Sequence, residues 1–159
     1  LGPCINASGR LESAIASMEL LLEEDTELAL AKAQEIWEMN EERKDMTMKG
    51  VEEAEAYLQD IEDKKVFVIY LPNCHESLAG IIAGRIRERY HHPVMVLVNS
   101  DEEGILKGSG RSIEDYHMFE ALQGCSELLL RFGGHAMAAG FSLKAECLDA
   151  FNEKLMKLL

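Results

Sequence analysis

The sequence predicts an α/β protein in which a long connecting helix is followed by a compact domain with a mixed β-sheet flanked by helices. Three observations point there. Residues 27–60 run without a proline, and apolar side chains recur there at spacings of three and four. At Val66 the pattern changes to a continuous apolar run, Val66 to Leu71, of the kind a buried strand shows. From Val66 to Val98 a strand, a helix and a second strand then follow one another, which is a βαβ unit with parallel strands.

Taken in order, residues 1–9 read as a loop, because Gly2-Pro3 opens them and Asn6, Ser8 and Gly9 are turn formers. Leu11 to Leu22 reads as a short helix with Ala14, Ile15 and Met18 on its apolar face. Glu24-Asp25-Thr26 is a break, with Thr26 the expected cap of the next helix. The long helix is expected from Glu27 to Asp60, with a kink at Gly50 and with Ile36 and Trp37 as apolar residues left for another surface. Asn40 and Arg43, three apart on one face, interrupt its stripe. They read either as a solvated gap or polar tether, or as a pair in which Arg43 orients a site. Beyond it come the strand, a helix from Ser77 to Tyr90 ended by His92-Pro93, and the strand Val94 to Val98. A turn at 101–104, a strand from Ile105 to Ser112, a helix from Tyr116 to Leu130, a strand from Ala138 to Leu143 and a closing helix from Glu146 to Leu158 complete the reading.

The chain has 159 residues, 47% of them hydrophobic and 28% charged, which suits one sizeable soluble core. No apolar run approaches the roughly 20 residues that cross a bilayer, and no signal segment is visible, so no membrane role and a cytoplasmic location are expected. The first residue is Leu1, not Met, and Leu1-Gly2-Pro3-Cys4-Ile5-Asn6 reads as the interior of a longer protein. Cysteines 4, 74, 125 and 147 lie too far apart for paired zinc ligands and read as reduced thiols. The net charge of −13 opposes nucleic acid in bulk, but residues 11–65 hold 17 acidic and 6 basic side chains while the rest hold 12 and 10. The later part can therefore still carry a local anion site.

Four short motifs carry chemistry. In Phe132-Gly133-Gly134-His135, glycines allow close backbone approach and an anion-binding nest, and His135 can donate to a phosphate or move a proton. Read alone, it is equally a tight turn with an incidental histidine. In Lys107-Gly108-Ser109-Gly110-Arg111-Ser112, the two-residue period of a strand points Ser109 and Arg111 the same way, as a phosphate would want; a hydrophilic edge strand reads identically. Cys74-His75-Glu76-Ser77 stands between the first strand and its helix, where ligands gather in open sheets and helix-start amides favour anions. A simple helix start is as good a reading. Asn6-Ala7-Ser8-Gly9-Arg10 flanks a turn. There is no clustered Asp and His set at metal spacing, no P-loop and no GxSxG, so no complete catalytic centre and no metal site is expected.

In this order, together with Asn40-x-x-Arg43 and Gly80-Ile81-x-Ala83-Gly84-Arg85, these motifs resemble the RecJ family of single-strand-specific DNA exonucleases in the DHH phosphoesterase superfamily. The sequence departs from that pattern at Cys4, at Ser77-Leu78 and at Gly110. The resemblance implies residues 1–10 as a hinge from a preceding catalytic domain, 11–64 as a helical connector and 65–159 as the DHH-associated substrate-binding domain. It implies Mn2+ or Mg2+ held by the preceding domain and none in this chain. It implies 5′-to-3′ cutting of single-stranded DNA in repair and recombination. Ser109, Arg111, Gly133, Gly134, His75, Asn6 and Arg10 are implied as substrate contacts, with His135 beside the phosphate being cut. A single-strand-binding protein and a helicase are implied as partners of a monomeric full-length protein. A phosphoesterase acting on short oligonucleotides or cyclic dinucleotides, and a non-catalytic nucleic-acid-binding or assembly module, are the alternatives.

Overall fold

The computed structural model describes residues 2–11, 14–58 and 64–158. The chain divides into two compact units, Leu1–Lys49 and Gly50–Leu159. The first holds α1 (Gly2–Leu11), α2 (Ala14–Leu22) and the beginning of α3 (Thr26–Leu58). Residues 2–9 are thus helical, not the expected loop. Tertiary contact overrides poor propensity here: Ala7 and Ser8 are buried, and the Ser8 hydroxyl shares a 2.6 Å hydrogen bond with the buried Ser17 hydroxyl and donates to the Ile5 carbonyl at 3.0 Å. The cap of α3 is Asp25 and not Thr26, since its Oδ1 accepts from the Glu27 and Leu28 amides at 2.9 and 3.0 Å. The expected end of this helix at Asp60 lies outside the described residues.

Along α3, Ile36 is only 2% exposed whereas Trp37 is 51% exposed. Adjacent helical residues sit about 100° apart, and here the two part: Ile36 is buried while Trp37 is left exposed. Asn40 is 3% exposed and is no solvated gap; its side-chain oxygen accepts from Arg43 at 3.3 Å, and Arg43 leaves its buried Nε without a partner among the described residues.

The second unit is built on a five-stranded sheet of order β1-β2-β3-β5-β4, with β1 (Phe67–Tyr70), β2 (Val94–Asn99), β3 (Ile105–Arg111), β4 (Arg131–Gly134) and β5 (Ala138–Lys144). Among the described residues only β1 and β2 are parallel, joined through α4 (Ala79–Tyr90) as the βαβ pattern predicts. The remaining pairs are antiparallel, so the sheet is mixed. His91, in the left-handed conformation at φ 49°, ends α4 just before the His92-Pro93 step.

α4 packs on one face of the sheet, over β2 and β3. The end of α3 lies against it, and a Cβ at Gly50 would stand 2.5 Å from Ile82 Cδ1, so Gly50 serves close packing of the two helices. α5 (Met118–Gly124) and α6 (Leu148–Lys157) cover the other face, where Met118, Leu122, Phe141, Leu143, Phe151 and Leu155 form the main core. The helix expected over 116–130 shortens to α5 because His117 caps it through the Glu120 amide; a 3-10 turn, Ser126–Leu128, follows Gly124 and Cys125. The 131–134 strand was not expected, since two of its four residues are glycines that carry no apolar pattern.

Candidate nucleic-acid interface

β3, β5 and β4 present their alternate residues to two different surroundings. Leu106, Ala139, Phe141 and Leu143 point into the core, while Lys107, Ser109, Gly140 and Ser142 face the side where α4 lies. α4 covers β2 and β3 there; over β5 and β4 that side is open, and a groove of about 420 Å³ runs along it. The pairing register sets three rows across this floor: Lys107, Ser142 and Arg131; Ser109, Gly140 and Gly133; and Arg111, Ala138 with His135 just past β4. Small residues hold the middle, and cationic or ionisable groups stand at the edges.

Ser109 and Arg111 share a face, as the strand period predicts. Arg111 Nη1 donates to Ser109 Oγ at 3.3 Å and to the Gly110 carbonyl at 2.7 Å, which fixes the guanidinium beside the hydroxyl. Gly80, on the first turn of α4, makes room for this pair. A Cβ there would lie 2.7 Å from Arg111 Nη2 and 2.9 Å from Ser109 Oγ. Arg111 is half-buried, so its charge is held near the groove in a setting where a phosphate contact is worth more than in open water.

Gly133 and Gly134 are the end of β4, paired with Gly140 and Ala139. β4 is the edge strand of the sheet, so its backbone is shared between β5 and the open edge. The His135 amide is taken, donating to the Ala138 carbonyl at 2.8 Å across a tight β4–β5 hairpin. The hairpin tip is pinned by the Ser112 amide on the Met137 carbonyl and the Met118 amide on the Ala136 carbonyl, each at 2.9 Å. Gly134 has φ +149°, and a Cβ would fall 2.4 Å from the Ala138 oxygen, so only glycine fits. The His135 ring is exposed, and its Nδ1 accepts the Met137 amide at 3.3 Å. In the neutral ring the proton then sits on Nε2, which is free to donate to an oxygen anion.

His75 does different work. Its Nδ1 shares a 2.7 Å hydrogen bond with Ser77 Oγ and accepts the Ser77 amide at 3.3 Å, capping the 3-10 turn Glu76–Leu78 ahead of α4. The Leu78 amide goes to the His75 carbonyl and the Ala79 amide to the Glu76 carbonyl. These three helix-start amides are thus already satisfied and have nothing left for an anion. His75 lines a separate depression with Cys74, Asn99 and Asp101. Asn6 and Arg10 lie in the first unit, one turn apart on α1 and both exposed.

Two basic residues of the groove were not among those expected. Arg131 lines it and has no hydrogen-bond or ion-pair partner among the described residues. Lys107 bonds Glu76 at 2.5 Å, and that hydrogen bond raises its pKa from the usual lysine value. A strand reading of 131–134 would have placed Arg131 beside the glycines by the two-residue period. Among the described residues no group of three or more His, Cys, Asp or Glu side chains could hold a metal ion. Nor, among them, is any helix long and apolar enough to cross a membrane.

Residues 63–159 match the family model of the DHHA1 domain. The whole chain is similar to the single-stranded-DNA-specific exonuclease RecJ of Bacillus subtilis, at 38% identity over 159 residues that make up 99% of this chain and 20% of that protein. The structure is similar to that of RecJ from Thermus thermophilus in complex with Mg2+, with a TM-score of 0.86 and 32% identity, covering 98% of this chain and 24% of that one. The Mn2+ complex of the same Thermus protein matches with a TM-score of 0.85, covering 98% of this chain and 23% of that one at 32% identity. This chain therefore spans about a fifth to a quarter of these relatives' length. With the DHHA1 match over 97 of its 159 residues, the chain belongs to the DHHA1 domain family, and what it corresponds to in its relatives is a segment of RecJ.

Proposed function

We propose that this chain is the substrate-gripping part of a metal-dependent 5′-to-3′ single-stranded DNA exonuclease, and that the open face of β3, β5 and β4 holds the phosphodiester backbone. One observation carries this reading: in a chain of net charge −13, this open sheet face gathers Lys107, Arg111, Arg131 and His135 around a floor of serine, alanine and glycine. Such a floor lets a backbone lie close, and cations at its edges draw phosphates by charge more than by sequence. The length and level of identity to RecJ favour it over a small phosphoesterase or a non-catalytic module.

In this reading Ser109 and Arg111 bind one phosphate, Arg111 through its planar fork of donors. His135 Nε2 donates to an oxygen of the phosphate being cut, where charge builds as the bond breaks. Gly133 and Gly134 form the wall behind it. His75 acts as a positioning residue that sets the start of α4, and so Gly80, over Arg111. Residues 1–10 with Asn6 and Arg10 are the hinge, 11–64 the connector and 65–159 the substrate domain. A divalent ion, Mn2+ or Mg2+, supplies an activated water from a preceding domain. The same reading extends to repair and recombination, the cytoplasm, a monomeric state, and a single-strand-binding protein with a helicase as partners.

A nuclease assay with manganese on labelled single-stranded DNA tests this, using this chain and the longer protein containing it. The longer protein should cut and this chain should not. Robust metal-dependent cutting by this chain alone would remove the assignment of the metal to another domain.

A further inference from the structure

We infer that the row of Lys107, Ser142 and Arg131 is a second phosphate subsite, taking a phosphodiester farther along the same strand than the one at Ser109 and Arg111. The inference rests on the function proposed above. The three residues are joined by register, since Lys107 pairs with Ser142 and Ser142 with Arg131. All three line the groove, together with Ser77 from the turn ahead of α4. Arg131 is exposed and has no partner among the described residues, so its guanidinium is available to a ligand. Lys107 is shared with Glu76, whose carboxylate also lines the groove. Both members of that pair are partly exposed, so the bond is weak and an arriving phosphate competes with Glu76 for the ammonium.

The spacing decides what the subsite can reach. The Arg111 guanidinium sits at the Ser109 hydroxyl, and Ser109 is two residues from Lys107 on one strand, about 7 Å at roughly 3.4 Å per residue. Stacked nucleotides advance about 3.4 Å each along a strand, so this gap spans about two nucleotides when stacked and one when stretched. A mononucleotide cannot occupy both rows. An oligonucleotide of eight can, and the second row should give longer strands their extra affinity.

The test is a titration of this chain with thymidine 5′-monophosphate and with a labelled oligothymidylate of eight nucleotides across a salt series. Arg131→Ala should weaken the eight-nucleotide strand about tenfold and lower its salt slope by about 0.7, the value of one phosphate on a single strand, while leaving the mononucleotide unchanged. Arg131→Gln should repeat the loss with the side-chain stem kept, and Arg131→Lys should restore most of the affinity. Glu76→Gln should tighten the longer strand two- to threefold at low salt by releasing Lys107. An unchanged eight-nucleotide affinity in Arg131→Ala, or an equal loss for both lengths, overturns the subsite. Arg111→Ala separates the two claims, because it should weaken both lengths. If wild type binds neither ligand, the proposed function fails and the subsite fails with it.

Discussion

The two faces of β3, β5 and β4 are made of alternate residues from the same three strands, yet one holds the fold and the other is left open. On the core face, Phe141 stacks near Phe151 at 5.3 Å between ring centres, under Leu143, Met118 and Leu155. On the open face, Lys107, Ser109, Arg111 and Arg131 surround glycines, with Gly80 of α4 beside Ser109 and Arg111. A one-residue change of register would exchange these sets. Substitutions on the core face should therefore change stability, and those on the open face should change binding.

The largest effect is expected from Phe151→Ala on the core side. A fully buried phenylalanine in this setting costs about 3–5 kcal/mol when truncated. Urea unfolding should show it, and oligonucleotide affinity at low urea should stay near wild type. A midpoint unmoved by the change would break the division between faces. Gly134→Ala is next: its positive φ and the overlap with the Ala138 oxygen should cost about 1–3 kcal/mol, and the hairpin bearing His135 should shift, so both stability and binding fall.

Gly80→Ala sharpens the comparison. Alanine favours a helix over glycine by about 1 kcal/mol, while the atoms in its way are the movable ends of Arg111 and Ser109. Thermal stability should hold or rise while oligonucleotide affinity falls several-fold. Parallel loss of both would mean that Gly80 matters for packing alone. The smallest effect concerns pH. Burial, with the Glu53 carboxylate adding to it, pushes the Cys74 thiol from 9.0 up to about 11. The folded state thus keeps its proton longer than the unfolded state. This contribution is full below about pH 9 and is lost as pH rises towards about 11. Cys74→Ser should flatten that part of the alkaline stability curve, measured by urea midpoints at pH 8 and 10.

Much of this architecture is legible in the sequence where periodicity is strong. The Val66–Leu71 run, the helix after Ser77 and Val94–Val98 show their strand and helix periods without ambiguity, and β1, α4 and β2 follow them. Two elements escape for physical reasons. α1 contains Gly2, Pro3, Asn6 and Gly9, and forms through burial of Ala7 and Ser8 that no local rule reveals. β4 has glycines in place of an apolar pattern and exists because β5 pairs with it. The same gap hid part of the site. Ser109 and Arg111 are visible as neighbours two apart on one strand, but Arg131 joins Lys107 only through cross-strand register, and Gly80 meets Arg111 only through packing of α4.

The most direct measurement of the central claim is Arg111→Ala in this chain, followed in one experiment by oligonucleotide affinity and thermal midpoint. A lost charge-assisted phosphate contact is worth at least about 1.4 kcal/mol, so affinity for an eight-nucleotide single strand should fall about tenfold or more. The midpoint should stay within a degree or two, because Arg111 lies outside the main core. Unchanged affinity, or a midpoint that falls in step with it, would contradict the assignment of the open face to phosphate binding.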